Sequence, residues 1–217
     1  MNNRFDLIIF DWDGTLVDSI DWIVNCLQAA GDQCGCGIPE PQAAKDVIGL
    51  SISNACATLF PEADQATLTR LIGCYQQAYL SRQLGREDLF PGVYAMLVEL
   101  KQAGYQLAVA TGKTRTGLQQ ALKATDTEEL FCITRCSDET ASKPDPRMLH
   151  EIMRHTNAAN ERSLTIGDSS HDLQMAINAQ ISSIAVSCGA HPEHTLKHYR
   201  PLLCLQQPAE LLNIIRG

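Results

Sequence analysis

Positive charge is what this 217-residue sequence most conspicuously lacks: 17 lysines and arginines face 25 acids, a formal net charge of -8, and no basic block interrupts the chain. Nucleic-acid surfaces neutralise phosphates with dense Lys/Arg patches, so the composition argues against such a partner. Long apolar runs are missing too. The opening stretch 1–11 has one basic residue and a run, Leu7-Ile8-Ile9-Phe10, too short for a signal peptide or a bilayer span. A cytoplasmic protein with no membrane partner is the expectation. The third lack is a cysteine framework. Nine cysteines, an odd number, are scattered from Cys26 to Cys204, and the close pairs Cys34/Cys36 and Cys132/Cys136 have no zinc-site spacing. Most are expected to be buried, reduced thiols.

What is present is an ordinary globular balance, 45% hydrophobic and 19% charged, enough for one large or two smaller domains. An acidic protein that handles anions must create positive potential locally, from a metal, lysines or helix N-termini.

The densest chemistry follows the short apolar run: Leu7 to Phe10 leads directly into Asp11-Trp12-Asp13-Gly14-Thr15-Leu16-Val17-Asp18-Ser19. A short apolar run with turn residues behind it reads as a fully buried strand of a parallel sheet. Side chains alternate across a strand, so Asp11 and Asp13 project one way while Trp12 turns into packing. Two like charges this close repel, and a hard, oxygen-liganded ion such as Mg2+ is the simplest resolution. A calcium loop also begins Asp-x-Asp, but it needs an acid or Asn and then Gly where this chain has Thr15 and Leu16.

From Ile20 to about Arg86 no strand pattern appears. Ile23, Leu27 and Ala30, then Val47-Ile48, Ala55 and Leu59, then Leu68, Leu71-Ile72, Tyr75 and Tyr79 recur at helical spacing, and Pro39, Pro41, Pro61 and the stretch 35–37 divide them into three or four helices. Beyond Pro91-Gly92, helix and strand alternate. A helix from Val93 to Ala103 precedes a strand from Gln106 to Ala110, which delivers Thr111-Gly112-Lys113. A strand from Phe131 to Thr134 precedes Ser142-Lys143-Pro144-Asp145-Pro146, where Asp145 suits a helix N-cap and Pro146 the first turn. A strand from Ser163 to Ile166 runs into Gly167-Asp168-Ser169-Ser170-His171-Asp172, with Ser169 or Ser170 as cap and Asp172 in the first helical turn. Ser183 to Ser187 is a last clear strand, Leu202 to Leu205 a shorter one, and Ala209 to Ile215 a closing helix. The fold class expected is α/β: a doubly wound, Rossmann-like parallel sheet with helices on both faces, plus a small all-helical cap inserted after the first strand. The core is expected over 1–16 and 87–217, and the cap over 17–86.

Ligands of such sheets sit at the carboxyl ends of the strands. Asp11/Asp13, Thr111, Lys143 and Asp168/Asp172 all follow strands, so four separated motifs converge on one rim. Phosphoryl transfer through an aspartyl-phosphate uses this set. Asp11 is assigned as nucleophile, Asp13 as acid/base, Asp168 as metal ligand and Asp172 as its support. Thr111, Gly112 and Lys143 hold the phosphoryl group. A phospho-accepting signalling module also uses an acidic pocket with Thr and Lys, but the helical insertion and a nucleophile on the first strand argue against it.

Other candidates weigh less. His194 and His198 stand four residues apart with His191 near, yet lack a carboxylate partner, and a solvated or loop-packed set is expected. His171 is expected only to line the pocket mouth. Gly49-Leu50-Ser51 is a turn that could face the acids. Lys45, Arg82 and Arg86 could meet a substrate carboxylate, although solvated cationic faces are the favoured reading.

Together these motifs resemble the haloacid dehalogenase superfamily in its phosphoglycolate phosphatase-like branch. DWDGTLVDS resembles its first motif, VATGK its second, SKPDP its third and GDSSHD its fourth. The resemblance implies a helical cap that sets specificity, and the architecture leads to the expectation that this cap closes over the rim. It also implies Mg2+ held by the Asp11 carboxylate, the Asp13 backbone carbonyl and Asp168. A small phosphorylated metabolite is the implied partner, 2-phosphoglycolate among the candidates, with the protein a monomer or weak homodimer. Asp13 favours ester hydrolysis over C–P or C–halogen cleavage, which dispense with that acid. A β-phosphoglucomutase-like sugar-phosphate mutase shares all four motifs and stays open.

Overall fold

β1 (Leu7–Phe10) lies at the centre of the sheet because four consecutive apolar residues have nowhere else to go: all four are buried. The computed structural model describes residues 4–216; residues 1–3 of the opening stretch, and Gly217, lie outside the described residues. After β1 come four helices, α1 (Ile20–Gln33), α2 (Pro41–Asp46), α3 (Ile52–Leu59) and α4 (Gln65–Leu80), with no strand among them. A 3-10 turn at Arg86–Asp88 leads to α5 (Val93–Gln102) and β2 (Gln106–Thr111). Then α6 (Arg115–Ala124), β3 (Ile133–Cys136), α7 (Arg147–Thr156), β4 (Ser163–Gly167) and α8 (Ser170–Ala179) alternate. β5 (Ser182–Val186), α9 (Glu193–Lys197), β6 (Cys204–Leu205) and α10 (Leu211–Arg216) complete the chain.

The six strands form one sheet in the order β3-β2-β1-β4-β5-β6. Every pairing is parallel, with Ile9 opposite Ala108 on one side and Thr165 on the other. The chain thus departs from β1 to opposite sides, which puts the switch point, and the ligand crevice, at the carboxyl end of β1. Alternation sorts the two faces. Ile8, Phe10 and Trp12 pack with Met96, Leu97 and Leu118 from α5 and α6, whereas Leu7 and Ile9 pack with Leu149 and Ile152 of α7 and Met175 of α8. Asp11 and Asp13 share the parity of Leu7 and Ile9.

Among the four inserted helices, α1 packs along α4, and Ile23, Val24 and Leu27 meet Val47, Ile48 and Ala55 in a small core of their own. The Ser51 and Asp64 side chains cap α3 and α4 by accepting from the amides of Asn54 and Thr67. Among the described residues no helix is long and apolar enough to cross a membrane.

Three local expectations differ. β3 begins two residues late, because Phe131 follows a 3-10 turn and sets its ring edge-on against Trp12, 6.4 Å between centroids. Pro146 is the N-cap residue of α7 rather than part of its first turn; Asp145 still satisfies the first amide, accepting from Arg147 N–H at 3.0 Å. The cysteines are all free thiols, but only Cys26, Cys56 and Cys136 are buried. Cys34 at the end of α1, Cys36 in the loop after it and Cys74 on α4 pack only partly covered against Cys56 and Phe60.

Candidate active site

At the end of β1 the chain turns tightly through Gly14, whose φ of +75° and whose missing side chain are both required: a Cβ there would lie 2.2 Å from an Asp168 oxygen. That turn brings the loop after β1 against the end of β4. Thr15 donates its hydroxyl to Asp168 Oδ1 at 2.8 Å, and the Ala190 amide donates to Oδ2 at 2.7 Å. Asp11, Asp168 and Asp172 come together as a buried group, each offering an oxygen within 4.8 Å of the others.

One ammonium contacts two of these three carboxylates. Lys143, delivered by the loop before α7 and 1% exposed, has its Nζ 2.6 Å from Asp11 Oδ1 and donates to Asp172 Oδ1 at 2.6 Å. Asp172 is held from its other side by a capping box, in which Ser169 N–H and Oγ donate to Oδ2 at 3.1 and 2.5 Å. Both Asp172 oxygens are therefore engaged, as a support would be. The contact at Asp11 Oδ1 lacks hydrogen-bond geometry, leaving that buried oxygen without a hydrogen-bond donor.

Electrostatics follow from this crowding. Burial, then the charge of Asp172, hold the Asp11 carboxyl well above the usual carboxylate range, and Lys143 offsets them only in part. The same two causes push Asp168 up to about 7, against the Ala190 amide and the Thr15 hydroxyl. Burial alone would lower the Lys143 ammonium, but Asp11 and Asp172 override it and raise it. Three buried carboxylates around one cation are short of positive charge. With an undonated Asp11 oxygen and an all-oxygen donor set, they fit a hard divalent ion.

Asp13 stands outside that group. Its Oδ1 accepts from Ser19 Oγ at 2.7 Å and its Oδ2 lies 3.0 Å from Lys113 Nζ. Lys113 also donates to the Tyr79 hydroxyl, 2.6 Å away, and its Nζ lies 4.4 Å from the centre of that ring. Burial would lower the Lys113 ammonium; the Asp13 charge reverses this and raises it. Tyr79 belongs to α4, so this contact ties the inserted helices to the rim. Neither Tyr79 nor the pairing of Lys113 was evident from the sequence, where Tyr79 reads as one more position of an apolar stripe. Ser19 and Thr15 did lie within the first motif, and their hydroxyls were the available signal.

Thr111, the last residue of β2, and Gly112 just after it line a cavity of about 430 Å³ together with Asp11, Asp13 and Lys113. The Thr111 hydroxyl accepts from Lys113 N–H at 3.2 Å. Gly112 is needed for close approach: a Cβ there would lie 2.4 Å from Leu50 O and 2.6 Å from Gly49 O. The 49–51 turn thus does face the site, and Ser51 N–H donates to Ser142 Oγ at 2.8 Å. Its neighbour Lys45 instead pairs with Asp21 at 3.5 Å on the surface, Arg82 with Asp88, and Arg86 with Asp126. None of these three cations lines the cavity.

The histidines divide. His194 and His198 are exposed on and just after α9, while His191 is buried and its Nδ1 accepts from Ser170 N–H at 2.8 Å. His171 reaches Asp46 O at 2.8 Å. His191, His194 and His198 form no metal-capable group among the described residues.

The geometry now meets its relatives. A Dickeya dadantii (strain 3937) protein named probable phosphatase IndB is 31% identical over 211 residues, covering 95% of this chain and 91% of that one. Pyrophosphatase PpaX of Bacillus mycoides (strain KBAB4) is 25% identical over 213 residues, 98% of this chain and 97% of its own. A hydrolase from Pseudomonas syringae superposes with a TM-score of 0.88 at 24% identity, covering 97% of each chain, a likeness of fold. The family model for haloacid dehalogenase-like hydrolases matches residues 8–186, and the chain belongs to that family.

Proposed function

We propose that this chain is a Mg2+-dependent phosphomonoesterase acting through an aspartyl-phosphate on Asp11. The observation that carries this is the division of the carboxylates. Asp11, Asp168 and Asp172 form a buried group short of positive charge, while Asp13 stands apart on the cavity wall with its own lysine. The phosphatase name of a relative 31% identical supports the same class.

Asp11 and Asp168 would hold the metal, with the Asp13 carbonyl; when bound, Mg2+ neutralises charge on the phosphoryl oxygens. A carboxylate oxygen of Asp11 attacks phosphorus, the bond to the ester oxygen breaks, and Asp13 gives its proton to the departing alkoxide. Asp13 then takes a proton from water, whose oxygen attacks the same phosphorus. The bond to Asp11 breaks and inorganic phosphate leaves. Lys143 and the Thr111–Gly112 segment orient the phosphoryl group. Residues 1–16 and 87–217 are the catalytic core in this scheme and 17–86 the cap, with a small phosphorylated metabolite as substrate in the cytoplasm.

Phosphate release from a panel of phosphomonoesters with Mg2+ or EDTA, for wild type and Asp11→Asn, tests this. Magnesium-dependent release that Asp11→Asn reduces by at least about a thousandfold is expected. Release insensitive to Asp11→Asn would refute the scheme. Absence of release together with interconversion of sugar phosphates would replace it with a mutase.

A further inference from the structure

Resting on the phosphatase proposal, we infer that the leaving group is an uncharged alcohol carrying a planar, largely apolar ring, and that carboxylate- or phosphate-bearing leaving groups are selected against. The cavity above Asp11 and Asp13 is roofed by apolar side chains from three inserted segments: Leu27 of α1, Ile48 and Ile52 around the 49–51 turn and α3, and Leu80 of α4. Tyr75 and Tyr79 of α4 stack beside them, centroids 5.8 Å apart and planes inclined by 26°. They offer aromatic surface against which a ring can pack.

Charge decides what this space rejects. Lys113 is the one cation lining the cavity among the described residues, and it is already taken by Asp13 and the Tyr79 hydroxyl. The acid beyond Asp11 and Asp13 is Asp138, so the remaining formal charge on the wall is negative. A glycolate carboxylate or the second phosphate of pyrophosphate would lie between apolar walls with no free cation to compensate its desolvation. Size points the same way. A volume of about 430 Å³ lies within the range of small-molecule sites, and a two-carbon leaving group would leave most of the roof without contact. Polar groups do line one side, from Gln76, Thr114, Thr116 and Gln120, but they are neutral and suit hydroxyls or ring heteroatoms rather than an anion.

The test compares kcat/KM for benzyl phosphate, ethyl phosphate, 2-phosphoglycolate and pyrophosphate, read as inorganic phosphate, with acetyl phosphate as a small activated donor that needs no roof contact. The first two release alcohols of comparable acidity, so their difference reports binding rather than leaving-group chemistry. Benzyl phosphate is expected to exceed ethyl phosphate, and both compounds whose leaving group is itself an anion, by at least about tenfold, the discrimination that burial of a few carbons provides. Ile52→Lys, which adds a cation to a half-buried wall position, is expected to lower the benzyl-to-glycolate ratio by about tenfold or more. The ratio is unaffected by any loss of folded protein. Hydrolysis of acetyl phosphate with 2-phosphoglycolate or pyrophosphate equal to or above benzyl phosphate would overturn the inference alone. No release from any compound, acetyl phosphate included, would overturn the phosphatase proposal and this inference with it.

Discussion

Two lysines serve the two sides of this site, and they are built differently. Lys143 is enclosed by the core alone: its partners Asp11 and Asp172 come from β1 and the first turn of α8, and the side chain is wholly buried. Lys113 lies between two parts of the molecule, with Asp13 from the end of β1 below it and Tyr79 from inserted helix α4 above. The first arrangement exists whatever the helices do. The second forms only while α4 rests against the rim. Charge balance at Asp11 and Asp172 is thus a fixed property of the sheet domain, whereas the surroundings of Asp13 depend on whether α4 is in place.

Removing the fixed lysine should have the largest effect. Lys143→Ala leaves Asp11 and Asp172 buried without their cation, and loss of one partner from such a pair costs about 3–5 kcal/mol. Urea unfolding in EDTA should show that loss, and assays with Mg2+ should show phosphate release abolished relative to wild type. An unchanged denaturation midpoint would mean that the Asp11 and Asp172 charges do not depend on Lys143.

The bridging lysine should separate chemistry from stability. Lys113→Met is expected to reduce kcat by about a hundredfold by disturbing the acid/base carboxylate. Tyr79→Phe, which loses one hydrogen bond, should change stability by about 1 kcal/mol or less. Its kcat should nevertheless fall several-fold while Lys143-dependent stability is untouched. If Tyr79→Phe were kinetically silent, the contact between α4 and the rim would have no part in turnover.

The smallest effect is expected at His191, on the core side. Burial lowers its pKa, opposed by Asp46, and its Nδ1 must be unprotonated to accept the Ser170 amide. A depressed pKa means that, below about 6.5, protons bind the unfolded chain first. The stabilisation is therefore present above that pH and lost as pH falls through the folded-state value. His191→Asn, whose side-chain oxygen can accept the same amide, should flatten the decline of Tm between pH 7 and pH 5 relative to wild type. Parallel Tm profiles would remove His191 from the account.

Much of the core side was legible in the sequence, and the reason is physical. A parallel sheet places its chemistry at strand ends, so Asp11, Thr111, Lys143 and Asp168 could be assigned to one rim from apolar runs followed by polar turns. A serine cap at Ser169 or Ser170 and the first-turn position of Asp172 followed from local helix rules, and the structure selects Ser169. What could not be read is who meets whom. Helical periodicity gives Tyr75 and Tyr79 a common face without naming the lysine that Tyr79 touches, 34 residues away. The arginines considered as substrate contacts turned out to be engaged by Asp88 and Asp126, one of them 40 residues distant. Cysteine burial failed as a compositional expectation because it depends on where each residue falls on its element: Cys26 and Cys56 face inward from α1 and α3, while Cys132, Cys188 and Cys204 sit at strand ends and loops of the sheet domain. The tight fit of Gly112 under Leu50 needs coordinates, since a glycine after a strand suits a turn equally well.

The central claim is that Asp11 carries the phosphoryl group. The most direct measurement is rapid acid quenching during turnover of acetyl phosphate with Mg2+, followed by peptide mass spectrometry. The account predicts a hydroxylamine-sensitive phosphoryl adduct on Asp11, absent from Asp11→Asn, and accumulating when Asp13→Asn slows its hydrolysis. Sustained turnover with no adduct on Asp11, or an adduct on another residue, would contradict it.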